Sequence, residues 1–165
     1  DILVCNYGNS DFKKNNLDFD YSLKNNFFST VNTIKYSMPI LRKKTGRIIC
    51  ISSICGVETI KNAPIAYSVS KSALSGFIKS CAIDLGERNM IINSILPGVV
   101  DSPMTLSNMN KKDLDQVINQ TPLRRISKPE DIASLACFLI GPENKMITGQ
   151  SIVIDGGYSF SRIFE

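Results

Sequence analysis

The chain has 165 residues, of which 43% are apolar, carries a formal net charge of +4, and contains no histidine. That length suits a single domain over 1–165 with enough apolar content to fill a core. The missing imidazole excludes Ser-His-Asp and Cys-His hydrolases and most zinc enzymes. The basic residues fall in short clusters, Lys13-Lys14, Arg42-Lys43-Lys44 and Arg124-Arg125, without a continuous stripe, so no nucleic-acid partner is expected.

No apolar run reaches eighteen residues, and the opening DILVC carries no basic leader. The expectation is therefore a cytoplasmic protein with no membrane partner. Five cysteines include no Cys-x-x-Cys pair. Cys5, Cys50, Cys81 and Cys137 stand in apolar runs and read as small buried hydrophobes, with neither a disulfide framework nor a metal site expected.

In chain order, Asp1 to Cys5 is a continuous apolar run that fits a strand buried on both faces, closed by the turn-rich Asn6-Tyr7-Gly8-Asn9. Residues 10 to 18 read as polar loop. From Phe19 to Lys44 apolar residues recur at helical intervals (Leu23, Phe27, Val31, Ile34, Met38, Leu41), with a kink or boundary expected at Pro39 and a stop at the basic run before Gly46. Arg47 to Ser52 is a second buried strand, followed by a loop through Pro64. Ile65 to Arg88 is apolar almost all round, the pattern of a helix covered by a sheet on one side and by something else on another. Met90 to Leu96 is a third strand, ended by Pro97-Gly98. Val99 to Arg125 is polar and irregular, with a short helix near Lys111 to Asn119. Ser127 stands as N-cap candidate for a helix over Pro129 to Ile140. Gln150 to Asp155 is the fourth strand, ended by Gly156-Gly157. Strands alternating with helices imply right-handed crossovers and a doubly wound, Rossmann-like α/β fold with a parallel sheet.

Within the second of these helices, AYSVSKSAL (Ala66 to Leu74) places Tyr67 and Lys71 four residues apart, on one face and about one turn from each other. At an effective dielectric near 20, an ammonium about 4 Å from a phenolate attracts it by about 4 kcal/mol, or about three pK units before desolvation opposes it. That would bring the phenol towards neutrality and make Tyr67 an acid and base. The same spacing also fits an ordinary helical tyrosine near a solvated lysine. Ser53 read alone fits a turn serine, Asn26 a helix-surface amide and Ser102 a cap.

The marks nevertheless coincide in order, and the chain resembles the carboxy-terminal two thirds of a short-chain dehydrogenase/reductase over essentially all its length. DILVCNYG is similar to the family's fourth strand and Asn-Asn-Ala-Gly motif, with Cys5 and Tyr7 standing where the family usually has Asn and Ala. Ser53 in ISSICG resembles the catalytic serine, Tyr67 and Lys71 the Tyr-x-x-x-Lys pair, and Asn26 the helical asparagine. Pro97-Gly98 with Ser102 resembles the loop beside the nicotinamide, and PLRRISKPEDIA with ITGQSIVIDGG the family's carboxy-terminal pattern.

The resemblance implies hydride transfer between NAD or NADP and a small-molecule carbonyl or alcohol. Catalysis would fall to Asn26, Ser53, Tyr67 and Lys71. Cofactor contacts would come from Asn6, Gly8, Tyr67, Lys71, Pro97, Gly98, Val100 and Ser102. It further implies a homotetramer or dimer, and an incomplete sheet of four carboxy-terminal strands. A preceding part of roughly 80 residues with the glycine-rich turn would complete that sheet. Without that part, Ile2-Leu3-Val4 is expected to form an uncovered edge that makes the chain associate and bind a dinucleotide weakly. A second reading stays open at this point: a non-catalytic remnant that serves as an oligomerisation or binding module.

Overall fold

The computed structural model describes residues 1–9, 17–41, 43–60 and 63–161. Most of the expected loop over 10–18, together with Arg42 of the basic helix stop and residues 61–62, lies outside them. Four apolar segments form strands β1 (Ile2–Cys5), β2 (Arg47–Ile51), β3 (Ile91–Pro97) and β4 (Ser151–Ile154). They pair in parallel in the order β1-β2-β3-β4, with Ile2 opposite Arg47, Arg47 opposite Ile91 and Ser94 opposite Ser151.

Parallel neighbours cannot be joined by a hairpin, so each pair needs a crossover. The first runs through α1 (Phe19–Ser22), a π-helical segment (Leu23–Phe28) and α2 (Ser29–Ser37). The second consists of a 3-10 turn (Ile54–Gly56) and α3 (Ile65–Gly86). The third holds α4 (Pro103–Asn108), α5 (Lys111–Gln120) and α6 (Pro129–Ile140), and α7 (Tyr158–Ser161) follows β4.

Alternate strand residues point to opposite faces, and the core divides accordingly. Ile48, Cys50 and Ile92 pack with Leu74, Ile78 and Leu85 of α3 and Ile34 of α2. Ile49 and Ile95 pack with Leu139, Leu135 and Ile132 of α6. The central strands β2 and β3 are thus covered on both faces, as the alternation of strands and helices in the sequence predicts, whereas β1, expected to be buried on both faces, is covered on one. A third cluster, Ile54, Leu96, Val117 and Tyr158, closes the carboxy-terminal end around the strand tips.

Several expectations need correction. The boundary expected at Pro39 is where the first crossover helix ends, α2 stopping at Ser37 with Met38 as its C-cap, so the basic run is not the helix stop, and Lys44 within it adopts a left-handed φ of 74°. α4 and the 3-10 turn fall in segments expected to be irregular or loop, and α7 lies beyond the last element expected from the sequence. Ser127 does not cap α6: its backbone pairs with Val99 and Asp101, and the side chain of Asp131 accepts the Lys128 N–H at 2.7 Å instead. Cys81 is only half-buried and Cys137, on α6, is exposed.

β1 forms one edge of the sheet, and α6 does not reach over it: Ile2 is 56% and Val4 46% exposed. An exposed apolar edge strand is a template for pairing with another chain. Val4→Lys is therefore expected to lower the concentration-dependent self-association of the 165-residue chain in size-exclusion chromatography with light scattering. Unchanged association would place the adhesive surface elsewhere.

Candidate functional site

The carboxy-terminal ends of β1, β2 and β3 open into a cleft of about 730 Å³. Parallel α/β sheets present their ligand crevices at this end, because the loops that leave the strands converge there. Four pieces of chain build the floor: Asn6 to Gly8 after β1, Ser52 and Ser53 after β2, Tyr67 and Lys71 from the first two turns of α3, and Pro97-Gly98 after β3. Val100, Ser102 and Met104 form one wall and Ile132 and Ala136 of α6 another.

Ser53 is the N-cap of the 3-10 turn, and its Oγ accepts the Cys55 N–H at 3.2 Å. That bond fixes the hydroxyl oxygen and leaves its proton to point elsewhere, in the cleft that the phenol of Tyr67 also lines. The reading of Ser53 as a turn serine and its membership of the site are thus both realised in one side chain. Ser102 behaves similarly: it caps α4, accepting the Thr105 N–H at 3.3 Å, while lining the cleft.

Lys71 is only 3% exposed. Its Nζ donates to the Ile51 carbonyl at 3.3 Å and stands 5.7 Å from the centroid of the Tyr67 ring. Burial pushes the lysine down to about 8, with the sulfurs of Cys50 and Cys55 opposing the shift. The phenol moves the other way: burial, and then Cys55, push Tyr67 well above the ordinary phenol range, while the Ser53 hydroxyl pulls it back. The expected lowering of the phenol by Lys71 is therefore corrected. The ammonium sits over the ring and binds a backbone carbonyl, so desolvation dominates the phenol.

Asn26 lies within the π-helical segment, fully buried behind Gly8 and Lys71. Its Oδ1 accepts the Asn9 N–H at 2.7 Å, and Asn9 Nδ2 donates to the Tyr21 hydroxyl at 2.8 Å, so the turn after β1 is clamped to this segment. The extra residue of a π turn is what lets an amide be driven inward here. Gly8 must be glycine for a local reason: a Cβ there would lie 3.0 Å from Lys71 Nζ and 3.2 Å from Asn26 Oδ1. The sequence reading missed Asn9, whose only signal was its place in a turn-rich tetrapeptide, and Cys55, which fell in the loop after the second strand.

The candidate catalytic set is thus brought together, Ser53, Tyr67 and Lys71 on the floor and Asn26 immediately behind. All the candidate cofactor positions, Asn6, Gly8, Pro97, Gly98, Val100 and Ser102 among them, line the same cleft. The donor chemistry fits an oxygen-rich ligand such as a ribose and nicotinamide amide. Lys71 has protons with no acceptor among the described residues, and Asn26 Nδ2 is a buried donor without a partner. Tyr7, bulky where the resemblance has Ala, is exposed on the rim and does not fill the cleft. Among the described residues no cluster suits a metal ion.

Sequence and structure comparisons agree on the kind of protein. The family described as Enoyl-(Acyl carrier protein) reductase matches residues 1–159. The 3-oxoacyl-(acyl-carrier-protein) reductase FabG of Rickettsia felis is 36% identical over 165 aligned positions, 95% of this chain and 66% of that protein. A short-chain dehydrogenase family protein from Francisella tularensis superposes with a TM-score of 0.86 at 28% identity, over 97% of this chain and 71% of that one. A 7α-hydroxysteroid dehydrogenase complexed with NADH and 7-oxo glycochenodeoxycholic acid gives 0.85 at 32% identity, over 95% and 63%. The chain is an α/β protein with a Rossmann-like parallel sheet, and it belongs to the short-chain dehydrogenase/reductase family. It spans slightly under two thirds of the length of the curated relatives it matches.

The buried ammonium makes a stability prediction. Lys71 has a folded value of about 8 against an ordinary 10.4, so its charge costs stability below pH 8, and the cost fades as the pH rises towards 10.4. Lys71→Met, of similar length and uncharged, is expected to be more stable than wild type at pH 7 by about 1–3 kcal/mol, with the advantage shrinking above pH 8. Urea denaturation at pH 7 and pH 10 checks this. A less stable Met variant, or a pH-independent difference, would contradict it.

Proposed function

We propose that the protein carrying this chain is an NAD- or NADP-dependent oxidoreductase that interconverts a carbonyl and a hydroxyl on a small molecule. The observation that supports this reading is the convergence of Ser53, Tyr67 and Lys71 on the floor of one cleft, with Asn26 directly behind. The named relatives add weight, since a 3-oxoacyl reductase and a dehydrogenase seen with a 7-oxo ligand both handle carbonyl carbon.

A nicotinamide bound beside Pro97, Gly98 and Val100 would supply the hydride chemistry. The residues would do the rest. Ser53, with one lone pair engaged by the Cys55 N–H, donates its hydroxyl proton to the carbonyl oxygen and fixes the carbon's position. Tyr67, held well above the ordinary phenol range, is fully protonated at neutral pH and so is loaded as the acid that protonates that oxygen. Lys71, still charged at neutral pH with a value of about 8, offers its remaining protons to ribose hydroxyls and stabilises the phenolate left behind. Asn26 holds the turn that carries Gly8 against Lys71 and keeps the ammonium in place.

The assembly is a homodimer or homotetramer in this reading, with α3 contributing its exposed Ile65, Val69 and Ile83 to the contact. The alternative of a non-catalytic module is separated by one variant. Tyr67→Phe keeps the ring and its packing but removes the proton, so it is expected to lower kcat by more than tenfold in steady-state carbonyl reduction by the native polypeptide that carries these residues, with an unchanged circular dichroism spectrum. Retention of more than about a tenth of the rate would leave less than 1.4 kcal/mol on that hydroxyl and would remove it as the acid.

A further inference from the structure

The parallel register pairs Cys5, the last residue of β1, directly with Cys50 on β2. Facing residues of neighbouring strands sit about 4.8 Å apart, inside the roughly 4.4–6.8 Å between Cα atoms that a disulfide bridges. Being in register, both side chains project to one face, and both belong to the cluster that packs under α3. We propose that Cys5 and Cys50 are a redox-active dithiol that a hydroperoxide converts to a disulfide linking the two strands that carry the site.

Chemistry around the pair favours this direction. The closeness of each thiol to the other splits them, holding Cys5 below the ordinary thiol value and, together with burial, Cys50 well above it. Cys5 is thus the more acidic thiol and the nucleophile, and Cys50 is the resolving partner. The ammonium of Lys71 adds a favourable charge beside Cys50. Cys5 is buried but is the last residue of an edge strand, next in the chain to exposed Asn6 and Tyr7.

The Cys5 thiolate attacks the peroxide: an S–O bond forms, the O–O bond breaks, and the departing alkoxide or hydroxide takes up a proton to leave as alcohol or water. Cys50 sulfur then attacks the Cys5 sulfenic acid, forming S–S and expelling the oxygen, which leaves as water with the Cys50 proton. Two thiols lose two electrons and the peroxide gains them. The crosslink falls one residue before Asn6 and three before Ser53, so it ties together the strand ends that present the cleft. It does not rest on the oxidoreductase reading, and its test needs no activity.

The 165-residue chain is treated with hydrogen peroxide, unfolded in urea so that every thiol is reachable, alkylated and mapped by mass spectrometry. The expected result is loss of two alkylatable thiols out of five, with tryptic peptide 1–13 linked to peptide 48–61 and both recovered by dithiothreitol. Because the second peptide holds Cys50 and Cys55, the same mapping is run on Cys55→Ser, where the link should persist, and on Cys50→Ala, where it should vanish. If Cys50→Ala fails to fold, fragment-ion assignment of the sulfur in the wild-type linked peptide decides the same point. Five alkylatable thiols after treatment, a link to Cys55 or Cys81, an intermolecular disulfide, or Cys5 recovered only as sulfinic acid would each overturn the proposal.

Discussion

Helix α3 can reach the sheet's open end only because glycine stands on both sides of Lys71. A Cβ on Gly56 would fall 2.8 Å from the Lys71 carbonyl carbon, and a Cβ on Gly8 would fall 3.0 Å from its Nζ. Neither neighbour can retreat cheaply: the first contact is with helix backbone, and the second is with a buried ammonium already bound to Ile51 O. The helix is therefore seated at one height, with Lys71 inside and Tyr67 one turn earlier at the cleft. Leu74 and Ile78, continuing down the same face, are fully buried in the core below. The arrangement of the site and the packing of the core are two consequences of one close approach.

That seating trades stability for a charge placed where water is scarce. Burying an ammonium with a single carbonyl acceptor is unfavourable, and the depression of Lys71 to about 8 expresses the cost. The same desolvation raises the phenol of Tyr67. Attraction between two groups survives only where they meet at short range, whereas desolvation acts on each group wherever it is buried. Spacing on a helix measures how close two side chains come but not how dry their surroundings are. The four-residue spacing of Tyr67 and Lys71 therefore predicted correctly that the two would meet on one face, and predicted wrongly which way the phenol would move.

The sheet was legible from the sequence for a simple physical reason. DILVC, RIICI and the run from Met90 to Leu96 are mostly apolar without strict alternation, the pattern of strands in a parallel sheet, although Ile2 and Val4 of the edge strand β1 stay exposed on one face, and the alternation with helical periodicity then pointed to parallel pairing. The short helices were not legible. α4 spans six residues and α7 four, too few for a periodic signal, and both depend on caps and strand tips that tertiary structure supplies. Ser127 misled because a serine before Lys-Pro-Glu looks like a cap, whereas the backbone pairing of Val100 with Ser127 had already claimed it. The candidate site residues came from motifs in order. What no motif conveyed was the role of Asn9 in clamping Asn26, because that bond joins a turn to a π-helical segment seventeen residues away.

Cys5 and Cys50 show the same limit from another side. Each was read correctly as a buried residue in an apolar strand, since burial follows from the composition of the run around it. Whether two such residues touch depends on register, and register is set by the pairing of β1 with β2 across more than forty intervening residues. A one-residue slip would send one thiol to the α6 face and leave the other beneath α3. The parallel pairing that points Asn6 and Ser53 into a common cleft also places the two sulfurs side by side, so the site and the thiol pair share a single structural cause.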